Sequence, residues 1–469
     1  MIERREFIKK SAIGAAGIAV GGFGSTARSY ASIIGANERI NLAVIGIRNQ
    51  GTVHIKNYCG LKDSHNVIVK TLCDTDELLF EPASKIVTQK TGVKPLTEWD
   101  LRNVLDDKDI HAVSIVTPNH WHALATIWAC QAGKHVYVEK PASHNIWEGR
   151  KMVEAARKYN LRVQVGFNNR SSGNVMDGIK FLHDGGIGEV FMARALCFKA
   201  RDSYGMAEDS LPPATFHYDQ WLGPAPYRPY NVKRSHYCWH WYWDTGNGDT
   251  GNTGPHRLDL ARWGMNKNEH PVSVYSAGGI YGFHQEEDPS KPRTPGVMVY
   301  GGGETYGRDK TLQETPNTQT AVYKYSDGKM LEMETRGRYT NHEGSEGQEV
   351  GNVFYGTEGW LEISGSTWKA FRERERKPFA GSKEGGKGRD GNHWGNFIDA
   401  VRSGKDEDLH CDINEGSYST TLAHLANISY RLDRMLRFVG DHEKFANDPE
   451  ADRMLTRVYR IPYVVPDKV

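Results

Sequence analysis

A chain of 469 residues exceeds one ordinary domain and has ample length for a large core. Its 59 Lys and Arg balance 58 Asp and Glu to a formal net charge of +1, which excludes a strong field for nucleic acid or an acidic surface and leaves neutral small molecules as the expected partners. With 50 Gly, 12 Trp and 22 Tyr the chain is rich in turns and amphipathic rings, a composition suited to holding polar but flat-faced ligands.

The chain opens on Arg4-Arg5-Glu6-Phe7-Ile8-Lys9, followed by a small-residue, weakly apolar run from Ser11 to Gly24. That run is too short and too glycine-rich to span a membrane stably, so residues 1–35 read as a twin-arginine export signal, and a periplasmic protein with no stable membrane span is expected. The bland alternative is a basic helix that stays. Cys59, Cys73, Cys130, Cys197, Cys238 and Cys411 show neither disulfide-scaffold nor CxxC spacing and read as buried thiols.

From Ile40 strand and helix alternate. Apolar runs at Ile40 to Gly46, Val67 to Cys73, Ala112 to Val116, His135 to Val138 and Arg162 to Val165 are separated by helical stretches at Glu77 to Thr91, Trp99 to Leu105, Ala123 to Ala132 and from Asn145. Such alternation predicts a parallel, doubly wound sheet. The first turn is an imperfect dinucleotide fingerprint: Gly46 and Gly51 hold the outer positions, Arg48 replaces the middle glycine, and Asn49 lies between. An arginine there can meet a pyrophosphate directly. Asp74, at the end of the second strand, is placed to accept from a ribose 2′-hydroxyl and to repel a 2′-phosphate, so NAD is expected rather than NADP. A plain strand-helix turn is the competing reading.

At Val138-Glu139-Lys140-Pro141 a carboxylate and an amine stand where a buried strand runs out. In an open α/β sheet that is where ligands bind, and lysine changes pKa readily when desolvated. The alternative is a surface Glu-Lys pair before a turn.

After Gly166 the pattern changes. Val190 to Phe198 alternates as a strand, a Pro, Tyr and Asp-rich segment runs from Arg201 to Arg234, and a dense polar-aromatic stretch follows from His236 to His256. A helix from Arg257 to Gly264 closes it. Strand candidates at Val272 to Ala277, Gln319 to Tyr325, Met330 to Thr335, Gly351 to Gly356 and Trp360 to Ile363 predict an antiparallel sheet, with two late helices, 392–403 and 413–432, finishing that domain. Lys377 to Asp390 is a mobile-loop candidate.

The Gly46/Gly51 turn, Thr117-Pro118-Asn119-His120-Trp121-His122, Glu139-Lys140-Pro141 and Gly254-Pro255-His256-Arg257-Leu258-Asp259, in that order and spacing, resemble the Gfo/Idh/MocA oxidoreductases. The resemblance implies an α/β protein with a Rossmann domain, here 36–185, and a C-terminal α/β domain, here 186–469, whose largely antiparallel open sheet commonly carries homo-oligomer contacts. It also implies hydride transfer between bound NAD and a sugar, glycoside or cyclitol, with Lys140 and His256 handling the hydroxyl proton. An aspartate often stands four residues before that histidine in the family's dehydrogenases, where this chain has Asn252; Asn252, or Asp249 nearby, joins the catalytic candidates. Thr117, Pro118, Asn119, His122, Glu139 and Lys140 join Gly46, Arg48, Asn49, Gly51 and Asp74 as expected NAD contacts.

Asn168 and Arg170, after a strand end, are candidates for sugar hydroxyls, as are Trp241 and Asp244 with Lys140 and His256. Trp239, Trp241 and Trp243, at period two, fall on one face of an extended segment and either stack on a pyranose or pack in a core. His120 and His122 line the nicotinamide edge or pack; Asp259 is expected to orient His256 or a backbone group rather than to react. No His, Cys and Asp cluster has metal spacing. An exported enzyme is expected to keep its NAD tightly bound and regenerate it in place. Sugar oxidoreductase is the first reading, an NAD-dependent glycoside hydrolase working by transient oxidation and elimination the second, and a non-catalytic sugar-binding protein the third.

Overall fold

The computed structural model describes residues 39–199, 201, 203–282, 311–337, 350–382 and 392–469. The expected export segment, and the greater part of the expected loop from Lys377 to Asp390, lie outside the described residues.

Six short strands, β1 (Ile40–Ile45), β2 (Val67–Cys73), β3 (Leu96–Glu98), β4 (Ala112–Ile115), β5 (His135–Val138) and β6 (Val163–Val165), form a sheet ordered β3-β2-β1-β4-β5-β6 with every pairing parallel. Its central strands are near-continuous Val, Ile, Leu and Ala because helices cover both faces. Those helices are α1 (Gln50–Gly60), α2 (Phe80–Thr91), α3 (Leu101–Asp106), α4 (Asn119–Gln131) and α5 (Ile146–Lys158). Strand order reverses between β1 and β4, which opens a crevice beyond their carboxyl ends. Gly46, Asp74, Thr117, Lys140 and Asn168 all follow strand ends there. The turn after β1 needs its glycines: Gly46 has φ +85° and a Cβ on it would sit 2.6 Å from the Val116 carbonyl oxygen, while one on Gly51 would collide with the Gly46 carbonyl.

The second sheet has ten strands, adding β7 (Val190–Cys197), β8 (Ser273–Gly279), β9 (Thr318–Lys324), β10 (Met330–Arg336), β11 (Val350–Gly356), β12 (Gly359–Ser364), β13 (Thr367–Arg372), β14 (Ala380–Gly381), β15 (Leu436–Val439) and β16 (Lys444–Phe445). They run in the order β14-β13-β12-β11-β7-β10-β9-β8-β15-β16, antiparallel except where β7 meets β10. In β9 buried Gln319, Ala321 and Tyr323 alternate with exposed Thr320, Val322 and Lys324, so one face is packed and the other open. The packed face lies under α6 (Gly173–His183), α7 (Gly254–Gly264) and α9 (Ile413–Leu432), whose Ile179, Leu258, Leu260, Leu422 and Leu425 join its core.

The remaining helix departs from expectation. α8 (His393–Ser403) packs on the first sheet, burying Phe397, Ile398 and Ala400 with Leu42, Val44 and Val69. The chain therefore leaves the first core and returns to it.

A second correction concerns Arg170, expected to bind sugar. Its guanidinium is buried and donates from Nε to both Asp259 oxygens at 3.0 and 2.9 Å and from Nη2 at 2.8 Å. Asp259, on α7, is thereby committed to Arg170 and not to His256. Ser419 on α9 donates to the same carboxylate at 2.7 Å and accepts from Arg262 at 2.9 Å. This network ties the loop after β6 to α7 and α9. Burial alone would raise the Asp259 carboxyl, but Arg170 outweighs it and holds it below the usual range, so its stabilisation persists through neutral pH and is lost only in acid. Replacing Asp259 with Asn leaves a buried guanidinium without its counter-charge; a loss of about 3 to 5 kcal/mol is expected, read as a lower denaturant midpoint with the slope unchanged.

Candidate active site

The crevice beyond β1 and β4 continues into a cavity of about 490 Å³ closed on its far side by the segment before β8. Residues expected to hold the cofactor line one end: Gly46, Arg48, Asn49, Asp74, Thr117, Pro118 and Asn119, with His122 beside them. Gly51 lies behind the wall, where its N–H donates to the Arg48 carbonyl at 2.7 Å and closes the turn. Asp74 accepts from the Ile47 N–H at 2.8 Å and the Asp76 N–H at 3.1 Å. Burial nevertheless raises its carboxyl to about 6, with those two N–H groups and Arg48 opposing. These residues fit a dinucleotide: a glycine cradle that no Cβ could enter, a cation beside it, and a carboxylate at the end of β2.

In the motif after β4 the two histidines divide between the two readings. His122 sits with its ring nitrogens 2.7 Å from the Pro141 carbonyl and 2.9 Å from the Thr117 carbonyl, fastening the Glu-Lys-Pro turn to the turn after β4. His120 bridges the Trp221 and Thr245 carbonyls in the same way, at 2.9 and 3.3 Å, and is packing rather than lining. Asn119 donates to Asn247 Oδ1 at 3.0 Å.

At the other end stand Glu139, Lys140, Asn168, Asn252 and His256. The buried Glu139 carboxylate receives His54 Nε2 at 2.9 Å and Gln50 Nε2 at 3.4 Å. Burial pushes its pKa up, yet His54, Lys140 and His256 outweigh that and hold it at about 2. Gly166 makes room, since a Cβ there would stand 2.9 Å from the carboxylate. Lys140 donates to the Asn252 carbonyl at 3.1 Å and to its Oδ1 at 3.2 Å. Burial lowers its pKa despite Glu139, and Arg201 and Lys199 lower it further. His256 is the opposite wall. Burial, then the charge of Lys140, brings it down to about 3, and its Nδ1 has no hydrogen-bond partner. A neutral imidazole, its Nδ1 buried without a partner, thus lines the same cavity as an aligned amine.

Several expected sugar contacts are elsewhere. Cys238–Trp241 is a single tight helical turn, not a strand, so the three tryptophans scatter. Trp241 is fully buried, stacked 4.2 Å from Tyr204 and capped by Arg201 at 4.9 Å. Trp243 lies under Arg431 at 4.9 Å, and only Trp239, stacked on His240 at 3.6 Å, reaches the cavity. Asp244 pairs with Arg228 at 2.6 Å away from the cavity lining. Asp249 does not line the cavity either; Arg201 Nε holds it at 2.7 Å. Sequence reasoning missed Lys199, Arg201, His236, Tyr237 and Tyr463 as lining residues. The only available signal was that Lys199 and Arg201 leave β7 two residues apart, on one side of an extended chain. Among the described residues no group of three His, Cys, Asp or Glu could hold a metal ion, and no helix is long and apolar enough to cross a membrane.

Comparison with known proteins agrees with this geometry. Residues 40–167 match the Gfo/Idh/MocA model described as an oxidoreductase family, NAD-binding Rossmann fold, and residues 200–285 and 389–465 match that family's C-terminal alpha/beta domain. Over 95 residues the chain is 40% identical to a levoglucosan dehydrogenase of Pseudarthrobacter phenanthrenivorans, covering 20% of this chain and 24% of that protein. Over 173 residues it is 28% identical to a glycosyl hydrolase family 109 protein of Shewanella pealeana, covering 34% of this chain and 37% of that one. The chain thus spans well under half the length of these curated relatives. A WlbA dehydrogenase from Bordetella pertussis, solved with NADH and UDP-GlcNAcA, shares the fold with TM-score 0.60 at 19% identity, covering 86% of this chain and 98% of that one.

Asp74 carries the test of the cofactor end. On nucleotide-free protein, Asp74→Ala is expected to weaken NAD about tenfold and to narrow the gap to NADP, both read by titration. The wild type should lose NAD affinity as pH falls through about 6, where Asp74 takes a proton.

Proposed function

The chain belongs to the Gfo/Idh/MocA oxidoreductase family, and on that premise we propose that it transfers hydride between NAD and a hydroxyl-bearing carbon of a sugar, glycoside or cyclitol. The observation that carries this reading is the pairing of Lys140 with the unpartnered, neutral His256 in the same cavity whose other end holds Gly46 and Asp74. The levoglucosan dehydrogenase and the WlbA dehydrogenase support a sugar as the substrate class.

Bound in this crevice, NAD supplies the hydride acceptor. Lys140, aligned by the carbonyl and amide oxygens of Asn252, has a remaining N–H with which to hold the substrate oxygen. The His256 imidazole takes the hydroxyl proton as the C–H hydride departs, leaving a carbonyl, and returns it in the reverse direction. Asn252 carries no proton in this scheme; it positions Lys140. Glu139, ionised and locked to His54, stabilises the ammonium form of Lys140 and does not react.

The cofactor is tightly held. Segment 215–217, which follows β7, is stitched to the loop after β2: Glu77 N–H donates to the Thr215 carbonyl at 3.0 Å, His217 N–H to the Thr75 carbonyl at 2.8 Å, and His217 Nε2 meets Glu77 Oε1 at 2.7 Å. Phe216, His236 and Tyr463 line the same wall. The twin-arginine stretch at Arg4-Arg5 supports export to the periplasm with the cofactor already loaded, so hydride taken from one sugar returns to a second substrate on the enzyme. The open face of the second sheet supports a homo-oligomer. Likeness to the family 109 glycosyl hydrolase supports a second outcome, in which transient oxidation acidifies a neighbouring C–H and permits glycosidic elimination.

Purified protein is expected to release NAD or NADH on denaturation and, undenatured, to change nicotinamide absorbance when a responsive sugar is added. Lys140→Met should keep the nucleotide and lose the change, and His256→Asn should lower kcat about 10²- to 10⁴-fold. Protein that neither holds NAD nor responds would overturn the proposal.

A further inference from the structure

Among the described residues, the end of the cavity that holds Lys140 and His256 is more positive than a neutral sugar requires. β7 runs out into Lys199 and Arg201, and both line the cavity. Lys199 is exposed to it, and among the described residues no carboxylate pairs with Lys199. Arg201 is partly neutralised, with Nε on Asp249 at 2.7 Å and Nη1 donating to the Tyr237 hydroxyl at 3.2 Å. Just behind His256, the buried Nε and Nη1 of Arg257 have no hydrogen-bond partner. Glu139 is the carboxylate on this wall, and it is already engaged by His54.

These charges do not belong to the dinucleotide. Arg48 is the cation acting on Asp74 at the cofactor end, whereas Lys199 and Arg201 act on Lys140. A pyrophosphate cradled at Gly46 is answered by Arg48. Among the described residues Lys199 stands exposed and without a carboxylate partner beside an Arg201 already answered by Asp249, and together they give this wall a field that favours an anion on the substrate.

We propose that the sugar carries a carboxylate, as in a uronate or aldonate, seated between Lys199 and Arg201 while its reacting hydroxyl lies between Lys140 and His256. This rests on the sugar-oxidoreductase reading and names its substrate class. A single negative charge is favoured over a phosphate monoester because Asp249 already cancels one of the two cations, leaving one to be matched. Trp239 and Tyr237 on the same wall give the ring a flat surface.

The test compares glucuronate with glucuronamide, its neutral isostere, and with glucose 6-phosphate, on the NAD-loaded full-length protein. Calorimetric titration reads binding, and nicotinamide absorbance reads hydride transfer. Glucuronate is expected to bind about tenfold or more tightly than the amide, with an advantage that shrinks as salt rises. Lys199→Gln should bring the acid-to-amide ratio close to one, and Lys199→Glu should invert it. Equal binding of acid and amide, no binding of either, or preference for the phosphate would overturn the proposal. So would a Lys199→Gln protein whose pH–rate profile moves alkaline while the ratio holds, since Lys199 would then serve only to depress Lys140. Preferential binding of the acid without any hydride transfer would uphold the anion subsite and sink the dehydrogenase reading, so the two failures are separable.

Discussion

The hydrogen-bonded pair of His54 and Glu139 is the constraint on which the site depends. A carboxylate this deeply buried is tolerated only when paired and hydrogen-bonded. The surrounding groups come from three separate elements of the first domain: His54 and Gln50 from α1, Ser114, which bonds the other nitrogen of His54 at 2.8 Å, from β4, and the side-chain-free Gly166 from beyond β6. The pair therefore forms only when that sheet is assembled in register. Once formed, it leaves Lys140 next in the chain, at the mouth of the crevice.

From that fixed point the chain beyond β7 is attached by polar bonds placed around the cavity rather than through it. Asn252 receives Lys140, Asp259 receives Arg170, and segment 215–217 receives the loop that carries Asp74. Near the C-terminus Arg457 donates to the His120 and Asp244 carbonyls, each at 3.0 Å, and Tyr463 packs edge-on against Trp121 with ring centroids 5.4 Å apart. Both ends of the cavity are thereby walled by residues from both sheets.

How much of this was legible depended on whether the governing signal was local. The parallel sheet was readable because buried strands announce themselves by unbroken apolar runs, and Gly46, Gly51 and Asp74 because turn and strand-end positions have local rules. Lys140 and His256 followed from motifs. Arg170 was misread because a lone arginine after a strand end carries no mark of the buried carboxylate it meets far along the chain at Asp259. The tryptophan ladder failed for a related reason: period two signals a shared face only in an extended segment, and Cys238–Trp241 coils into a helical turn that buries Trp241. The helix at His393–Ser403 was assigned to the nearer sheet by sequence order, while its Phe397 and Ile398 fit the core of the farther one.

The substitution at Asn252 acquires a physical meaning in this setting. An aspartate there would face Lys140 as a second carboxylate and favour its protonated form. The amide offers the same oxygen geometry, with Oδ1 at 3.2 Å, and adds no charge. Glu139 is then the carboxylate acting on Lys140, and its attraction falls short of the burial and of the cations at Lys199 and Arg201, so the amine stays below its ordinary range. One neutral side chain thus aligns Lys140 without adding a charge that would strengthen its protonated form.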